Sequence, residues 1–155
     1  MNKTLLLIIC IIIPLAVGGI SSLFTFSSVN DWYLGINKPS FNPPNWIFGP
    51  VWNTLFVLMG ISLYLAWTTT GSPLWKLGII IFGAQLALNF LWSMLFFGLH
   101  SPLLAFIDIV LLWIAILANI ILFWQINPYS AYLLIPYLLW VSFASVLNLF
   151  IVLLN

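Results

Sequence analysis

The chain has 155 residues, of which 65% are hydrophobic and only 3% are charged, and its formal net charge is +1. A soluble domain carries about 25% charged residues, so this composition excludes a water-exposed globular protein and indicates one that is embedded in lipid. The near-zero net charge also excludes the basic surface that nucleic-acid binding requires. The single cysteine, Cys10, excludes an internal disulfide and a multi-cysteine metal site.

Five apolar segments follow one another along the chain, and each has the roughly 20 residues that a membrane-crossing helix needs. The sequence therefore predicts an all-α membrane protein, a five-transmembrane-helix bundle that forms a single domain over residues 1–155. The predicted spans are residues 4–26, 47–67, 74–97, 103–124 and 131–154, and an Asn127-Pro128 break separates the last two.

The first apolar segment has features of both a secretory signal and a membrane span. Lys3 followed by apolar residues 5–13 and by the small residues Ala16 and Gly18 imitates a signal peptide. The apolar character continues to Phe26, beyond a normal signal core, so we interpret the segment as the first span. Its small or weakly polar residues recur on one helical face, which predicts contact with other helices rather than with lipid. They are Pro14, Gly18, Ser21 and Thr25.

The loop over residues 27–46 is polar, aromatic and rich in proline. Pro39, Pro43 and Pro44 restrict their own φ angles and the conformations of the residues before them. We therefore expect an ordered lid rather than a flexible connection. Pro50 is expected in the first turn of the second helix, where its missing N–H costs nothing.

Three spans carry aromatic and polar side chains at helical spacing. Amides are costly in hydrocarbon unless they are paired, so these stripes are expected to face the bundle interior. Facing stripes of this kind predict an apolar cavity with a few polar anchors, which describes a small-molecule site; ordinary core packing is the alternative. The stripes are Trp52, Phe56, Met59 and Leu63; Gln85, Asn89, Trp92, Ser93 and Phe96; and Tyr132, Pro136, Trp140, Phe143 and Leu147.

Asp108 is the only acidic residue inside a predicted span. An acid at membrane depth indicates a functional polar or proton site, and the alternative is a neutral or water-bonded side chain near a helix end. His100 lies in a turn and Cys10 in an apolar run, so neither predicts a metal site. No hydrolytic triad, phosphate loop or carboxylate pair is present, so the sequence argues against a conventional enzyme and gives no catalytic residue of that kind.

The third span has a small-residue face opposite its amide stripe. At about 100° per residue, Gly83 and Ala87 lie at about 160° and 200° from Gln85. Small residues let helices in lipid approach closely, so we predict a homodimer contact at Gly83 and Ala87. Packing of this face against another helix of the same chain is the alternative.

Several motifs resemble one known family over essentially the whole chain. The WY-x4-KPSFNPP block, which begins at Trp32-Tyr33, is the most specific, and it is followed by Trp46 and Trp52. These residues, together with the later QLALN segment from Gln85 and the LLIPY segment from Leu133, resemble the tryptophan-rich sensory protein/translocator protein (TspO/MBR) family, formerly called peripheral benzodiazepine receptors.

The resemblance implies a commonly dimeric five-helix protein that needs no cofactor and binds its ligand under the first loop. Family members bind porphyrins such as protoporphyrin IX, sterols and benzodiazepine-site drugs. The family's pocket carries over to Tyr33, Trp52, Phe56, Asn89, Trp92 and Trp140, with Ser22, Ala144 and Leu147 nearby, and Phe143 joins them from its stripe. The sterol motif does not carry over, because Leu149 to Val152 supply neither its tyrosine nor its basic residue.

The expected function is that of an integral membrane sensor or regulator that binds tetrapyrroles in the membrane of a bacterial cell. Two alternatives stay open. One is a small transporter of porphyrins or other amphiphiles. The other is a light-dependent porphyrin-degrading enzyme in which Trp52 and Trp140 act as redox-active aromatics.

Overall fold

The computed structural model describes residues 2–155, and this part of the chain is helical without any strand. The helices are α1 (Lys3–Ser28), α2 (Trp32–Gly35), α3 (Asn45–Thr68), α4 (Trp75–Ser93), α5 (Pro102–Ile126) and α6 (Pro128–Leu154), and a π-helical turn (Met94–Gly98) continues α4. All except α2 are long and apolar enough to cross a membrane. The predicted fold class, a five-helix membrane bundle, is confirmed.

Side-chain caps and prolines set the helix boundaries. Asn2 Oδ1 accepts a hydrogen bond from the Thr4 N–H at 3.0 Å, and Asn127 Oδ1 accepts one from the Tyr129 N–H at 3.1 Å. Pro128 follows Asn127 in the first turn of α6, where its fixed φ suits the helix start. The cap therefore starts α6 three residues before the predicted position.

The predicted position of Pro50 in the first turn of α3 is wrong. The helix begins at Asn45, directly after the extended residue Pro44, so Pro50 is already inside it. A proline there leaves the carbonyl four residues earlier, that of Trp46, without its helical partner. Trp46 and Pro50 are both exposed, so the interfacial surroundings can satisfy this carbonyl.

The five long helices form a ring in the order α1, α3, α6, α5 and α4, which closes where α4 and its π turn contact α1. Hydrogen bonds tie neighbours together at several depths. The Ser62 hydroxyl donates to the Ser130 carbonyl at 2.7 Å between α3 and α6, and Asn119 Nδ2 donates to the Gly78 carbonyl at 3.1 Å between α5 and α4. Such bonds matter in lipid because apolar burial gives helices little reason to associate there.

The small face of α1 packs inward as predicted. Pro14 and Ser21 are buried, and Gly18 lies against the ring of Phe56 on α3. At Gly60 the two helices approach so closely that an added Cβ would lie 2.4 Å from the Ile11 Cα. Glycine at this position is therefore what permits backbone contact between α1 and α3.

The predicted inner face of α6 is only partly correct. Tyr132 and Pro136 are exposed, whereas Tyr137 and Val141 are buried and Trp140 is half-buried. The helix is thus rotated from the predicted orientation in its first half, because packing against α3 and α5 decides which residues face inward.

Candidate functional site

The loop between α1 and α3 forms a lid that is anchored by aromatic side chains. Tyr33 in α2 is 5% exposed and packs against Phe96 and Phe97 of the π turn, with ring centroids 6.2 and 5.6 Å away. The neighbouring Trp32 stacks on His100 at 4.6 Å. Helix α2 is therefore fixed to the end of α4.

Polar contacts hold the rest of the lid. The Tyr33 hydroxyl donates to Asn42 Oδ1 at 3.1 Å, and the Lys38 ammonium lies 4.6 Å above the Tyr33 ring centroid. Asn155 at the end of α6 accepts from the Asn37 N–H and donates to the Asn37 carbonyl, both at 2.9 Å. The lid is thus attached to the bundle on the α4 and the α6 sides.

A cavity of about 560 Å³ lies under the lid between α1, α3, α4 and α6. This volume is within the roughly 300–1,000 Å³ of small-molecule sites. Nine of the ten residues predicted to contact a ligand line it: Ser22, Tyr33, Trp52, Phe56, Asn89, Trp92, Trp140, Ala144 and Leu147. The tenth, Phe143, is not among the lining residues and packs behind Trp140, with ring centroids 5.4 Å apart.

Trp52 and Trp140 meet at one corner of this cavity. Their ring centroids are 6.5 Å apart and their planes are at 88°, an edge-to-face contact. Phe56 extends the surface by stacking on Trp52 at 5.6 Å. The two indoles therefore form adjoining surfaces rather than the two parallel walls that would sandwich a flat molecule.

The wall contributed by α4 is fixed by two side chains of α6 that the sequence analysis did not identify as partners. Asn89 Nδ2 donates to the Tyr137 hydroxyl at 2.9 Å, and Trp92 Nε1 donates to Asn148 Oδ1 at 3.0 Å. The sequence did indicate that Asn148 has a partner, since an amide in an apolar span needs one. It gave no such indication for Tyr137.

Unlike the Asn89 and Trp92 side chains, the Trp140 indole has an N–H without a hydrogen-bond partner in the part of the chain that the structure describes. Trp140 Nε1 is buried and has no hydrogen-bond partner among the described residues. A buried unpaired donor costs about 1–3 kcal/mol. The Nε1 atom is closed off from the cavity as well as from solvent, although other atoms of Trp140 line the cavity.

The wall contributed by α1 consists mostly of small residues. Gly18, Gly19, Ser21, Ser22 and Thr25 all line the cavity. The Ser22 hydroxyl donates to the Gly19 carbonyl at 2.6 Å, so it is occupied within its own helix. Small side chains on this face leave the space that the large rings of α3, α4 and α6 surround.

Asp108 lies in α5 outside the cavity lining. It is 4% exposed, and neither carboxyl oxygen has a hydrogen-bond partner in the described part of the chain. Gln85 on the neighbouring α4 is fully buried and also lacks partners for its amide atoms. The structure therefore separates both residues from the site, although Gln85 shares the stripe of Asn89.

Gly83 and Ala87 are exposed on the outer face of α4, and an added Cβ at Gly83 would meet nothing within 4 Å. Packing of these two residues inside their own chain, the alternative considered above, is therefore wrong. The predicted dimer contact stays a prediction.

No described residues form a group of three or more His, Cys, Asp or Glu side chains that could hold a metal ion. His100 faces Trp32 and Ser28 rather than the cavity, with its Nε2 at 2.9 Å from the Ser28 hydroxyl oxygen. Burial raises the pKa of the Tyr33 phenol, and the hydrogen bond to Asn42 opposes this shift. Tyr33 therefore stays protonated at neutral pH and acts as a hydrogen-bond donor.

Comparison with known proteins gives consistent matches over almost the whole chain. Residues 10–154 match the model of the TspO/MBR family. The chain is 45% identical to a tryptophan-rich protein TspO of Chlorobaculum tepidum, which covers 100% of this chain and 99% of that protein. It is 38% identical to the human translocator protein (83% and 78%) and 33% identical to a tryptophan-rich sensory protein of Cereibacter sphaeroides (77% and 73%). The bacterial relatives support a bacterial origin.

Proposed function

Because the chain belongs to the TspO/MBR family of integral multi-pass membrane proteins, we propose that it is a membrane sensor or regulator that binds tetrapyrroles such as protoporphyrin IX in the cavity under the lid. Ligands of the benzodiazepine-site type would occupy the same space. The names of its relatives, translocator protein and sensory protein, agree with a membrane role related to such ligands.

The observation that carries the proposal is the aromatic lining of the cavity, with a few polar groups among the rings. Aromatic rings from three helices supply area for a large conjugated ligand, and stacked or edge-to-face contacts contribute about 0.5–1.5 kcal/mol each beyond burial. Asn53 and Ser93 add polar groups to the lining. A tetrapyrrole, which combines an aromatic plane with polar edge groups, matches both features.

The proposal is tested by titrating the purified protein in lipid nanodiscs with protoporphyrin IX while tryptophan fluorescence quenching is recorded. Trp140→Ala should weaken binding by at least about tenfold, because it removes ring area from the cavity wall. Trp140→Phe keeps an aromatic ring and should weaken binding less than Trp140→Ala does. Helical content should not change in either variant.

Trp124→Phe is the matched control, since Trp124 is exposed and contacts Tyr132 away from the cavity. Its affinity should equal that of the wild type. Unchanged affinity in both Trp52→Ala and Trp140→Ala would exclude this cavity as the binding site.

Two further measurements separate the alternative functions that share this site. Net porphyrin flux into sealed vesicles, absent from vesicles without protein, would favour a transporter. Loss of porphyrin absorbance under light, abolished by Trp52→Phe or Trp140→Phe, would favour a degrading enzyme. Saturable binding without either activity is the outcome that the sensor proposal expects.

A further inference from the structure

Several residues line the cavity under the lid and are at the same time exposed on the outer surface of the bundle. They are Gly19 and Phe26 on α1, Asn30 just after α1, and Asn45, Trp46, Gly49 and Asn53 on α3. Phe26 and Trp46 are 73% and 74% exposed. A residue that faces both a cavity and the exterior marks the place where the cavity opens, so these seven residues outline a lateral opening between α1 and α3 that extends from Gly19 to the lid end.

The packing of α1 against α3 shows why the two helices separate at this place. A Cβ at Gly60 would lie 2.4 Å from the Ile11 Cα, and one at Gly18 would lie 2.2 Å from the Phe56 ring. A Cβ at Gly19 or Gly49 would meet nothing within 4 Å. The helices are therefore in tight contact at Gly60 and Gly18, whereas Gly19 and Gly49 face open space.

The opening lies partly at the depth of the lipid acyl chains. Gly19 is nine residues before Ser28, the end of α1, which corresponds to roughly 13 Å along the helix axis. An α-helix of this length exceeds the roughly 30 Å hydrocarbon core by about 9 Å, or about 4–5 Å at each end. Gly19 is thus about 9 Å inside the hydrocarbon, whereas Gly49 is close to its boundary.

More side-chain contacts close the route past the lid than close the lateral opening. Tyr33 packs against Phe96 and Phe97, Trp32 stacks on His100, and Asn155 makes two hydrogen bonds to the backbone of Asn37. Entry from water would require these contacts to break. Entry through the lateral opening requires only the displacement of lipid and of exposed side chains.

We propose that amphiphilic ligands enter and leave the cavity laterally from the bilayer, between α1 and α3, a step that rests on the function proposed above. The apolar body of the ligand passes Gly19 at acyl-chain depth and Gly49 near the hydrocarbon boundary. Its polar edge stays near the lid end, where Asn45 and Asn53 offer amide groups beside Trp46. The ligand class is therefore one that partitions into lipid before it binds.

The test compares binding rates in lipid vesicles preloaded with iron-free protoporphyrin IX, recorded by stopped-flow quenching of tryptophan fluorescence. Gly19→Phe and Gly49→Phe place large rings in the opening, where each glycine has free space. Both association and dissociation should slow by about tenfold, a change in rate that single substitutions commonly reach. Because both glycines also line the cavity, the diagnostic result is that association and dissociation slow together, whatever the change in the equilibrium Kd.

Two matched variants distinguish the route. Ala16→Phe adds the same ring to an exposed position of α1 that does not line the cavity, and its rates should equal those of the wild type. Asn155→Ala removes the hydrogen bonds to Asn37 and loosens the lid, and its rates should also be unchanged.

Faster association in Asn155→Ala, or unaltered rates in both glycine variants, would overturn the lateral route. If the glycine variants bind porphyrin more weakly only because it dissociates faster, the new rings lie in the ligand site. That result would also overturn the lateral route. Absence of saturable porphyrin binding by the wild type would instead refute the proposed function, and this inference with it.

Discussion

Asn148 is a single side chain that connects three helices. Its Oδ1 accepts from Trp92 Nε1 of α4 at 3.0 Å, and its Nδ2 donates to the Pro102 carbonyl at the start of α5 at 2.8 Å. The residue is 1% exposed, so water cannot replace these partners. The orientation of Trp92 in the cavity wall therefore depends on this amide.

Asn148→Leu should destabilise the protein by about 1–3 kcal/mol, because it leaves the partly buried Trp92 N–H unpaired and removes the side-chain hydrogen bond to the Pro102 carbonyl. The measurement is equilibrium unfolding in mixed micelles. Asp108→Asn is the comparison, since the Asp108 carboxyl is equally buried but has no hydrogen bond to lose. It should change the unfolding free energy by less than about 1 kcal/mol, and a larger loss than that of Asn148→Leu would contradict this account.

The spacing of polar residues in α4 predicted the inward direction of Asn89 and Trp92, but not their partners. Amides in an apolar span mark an inward face because lipid cannot pair them. In α6 the outward face is as apolar as the inward one, so the pattern assigned Tyr132 to the interior and overlooked Tyr137. Partner identity depends on the rotation of each helix, which packing decides.

At the scale of elements, the contact of α1 with α3 depends on glycine. Gly60→Ala should reduce the unfolding free energy by about 1–3 kcal/mol, because the new methyl group would overlap the Ile11 backbone and push α1 away. Thermal unfolding followed by circular dichroism measures the loss.

Gly19→Ala is the control for this contact, because its Cβ meets nothing within 4 Å. Alanine is the better helix former by roughly 0.5–1 kcal/mol, so this variant should be neutral or slightly more stable. Equal destabilisation by both substitutions would show that the α1–α3 contact is not limited by space at Gly60.

The five spans were predictable from the sequence because hydrocarbon thickness fixes their length and because three of the five charged residues lie outside the predicted spans. The caps at Asn127 and Ser101 extended α6 and α5 beyond the apolar runs. The lateral separation of α1 from α3 was not predictable. It depends on which glycines contact a neighbouring helix and which face open space. Gly18 and Gly19 differ in this respect, but nothing in the sequence distinguishes these two adjacent glycines.

At the scale of the whole molecule, the exposed small face of α4 predicts the assembly. Gly83→Leu or Ala87→Leu should yield monomers in mild detergent, because a large side chain prevents close approach of two α4 helices. Light scattering coupled to size exclusion measures the mass. Porphyrin affinity should remain, since neither residue lines the cavity. Dimers that persist in both variants would place the contact elsewhere.

The cavity as a whole also predicts that binding does not depend on iron. Haem iron is held by His, Cys, Met or Tyr side chains, and neither His100 nor Cys10 lines the cavity. Tyr33 does, but its raised pKa keeps it protonated. Iron-free protoporphyrin IX should therefore bind at least as tightly as haem in parallel titrations. A strong preference for haem that His100→Ala or Cys10→Ala abolishes would contradict this.

The number of residues in the π turn that ends α4 determines the direction of its aromatic side chains. The Leu99 N–H bonds the Met94 carbonyl at 2.8 Å and the Ser101 N–H bonds the Leu95 carbonyl at 3.0 Å, so this turn holds one residue more than an α-helical turn. Deleting one residue between Trp92 and Phe96 would restore α-helical geometry and rotate Phe96 and Phe97 by about 100° relative to Trp92. Among relatives, a one-residue gap at these positions would thus redirect the aromatic floor of the lid as effectively as a substitution.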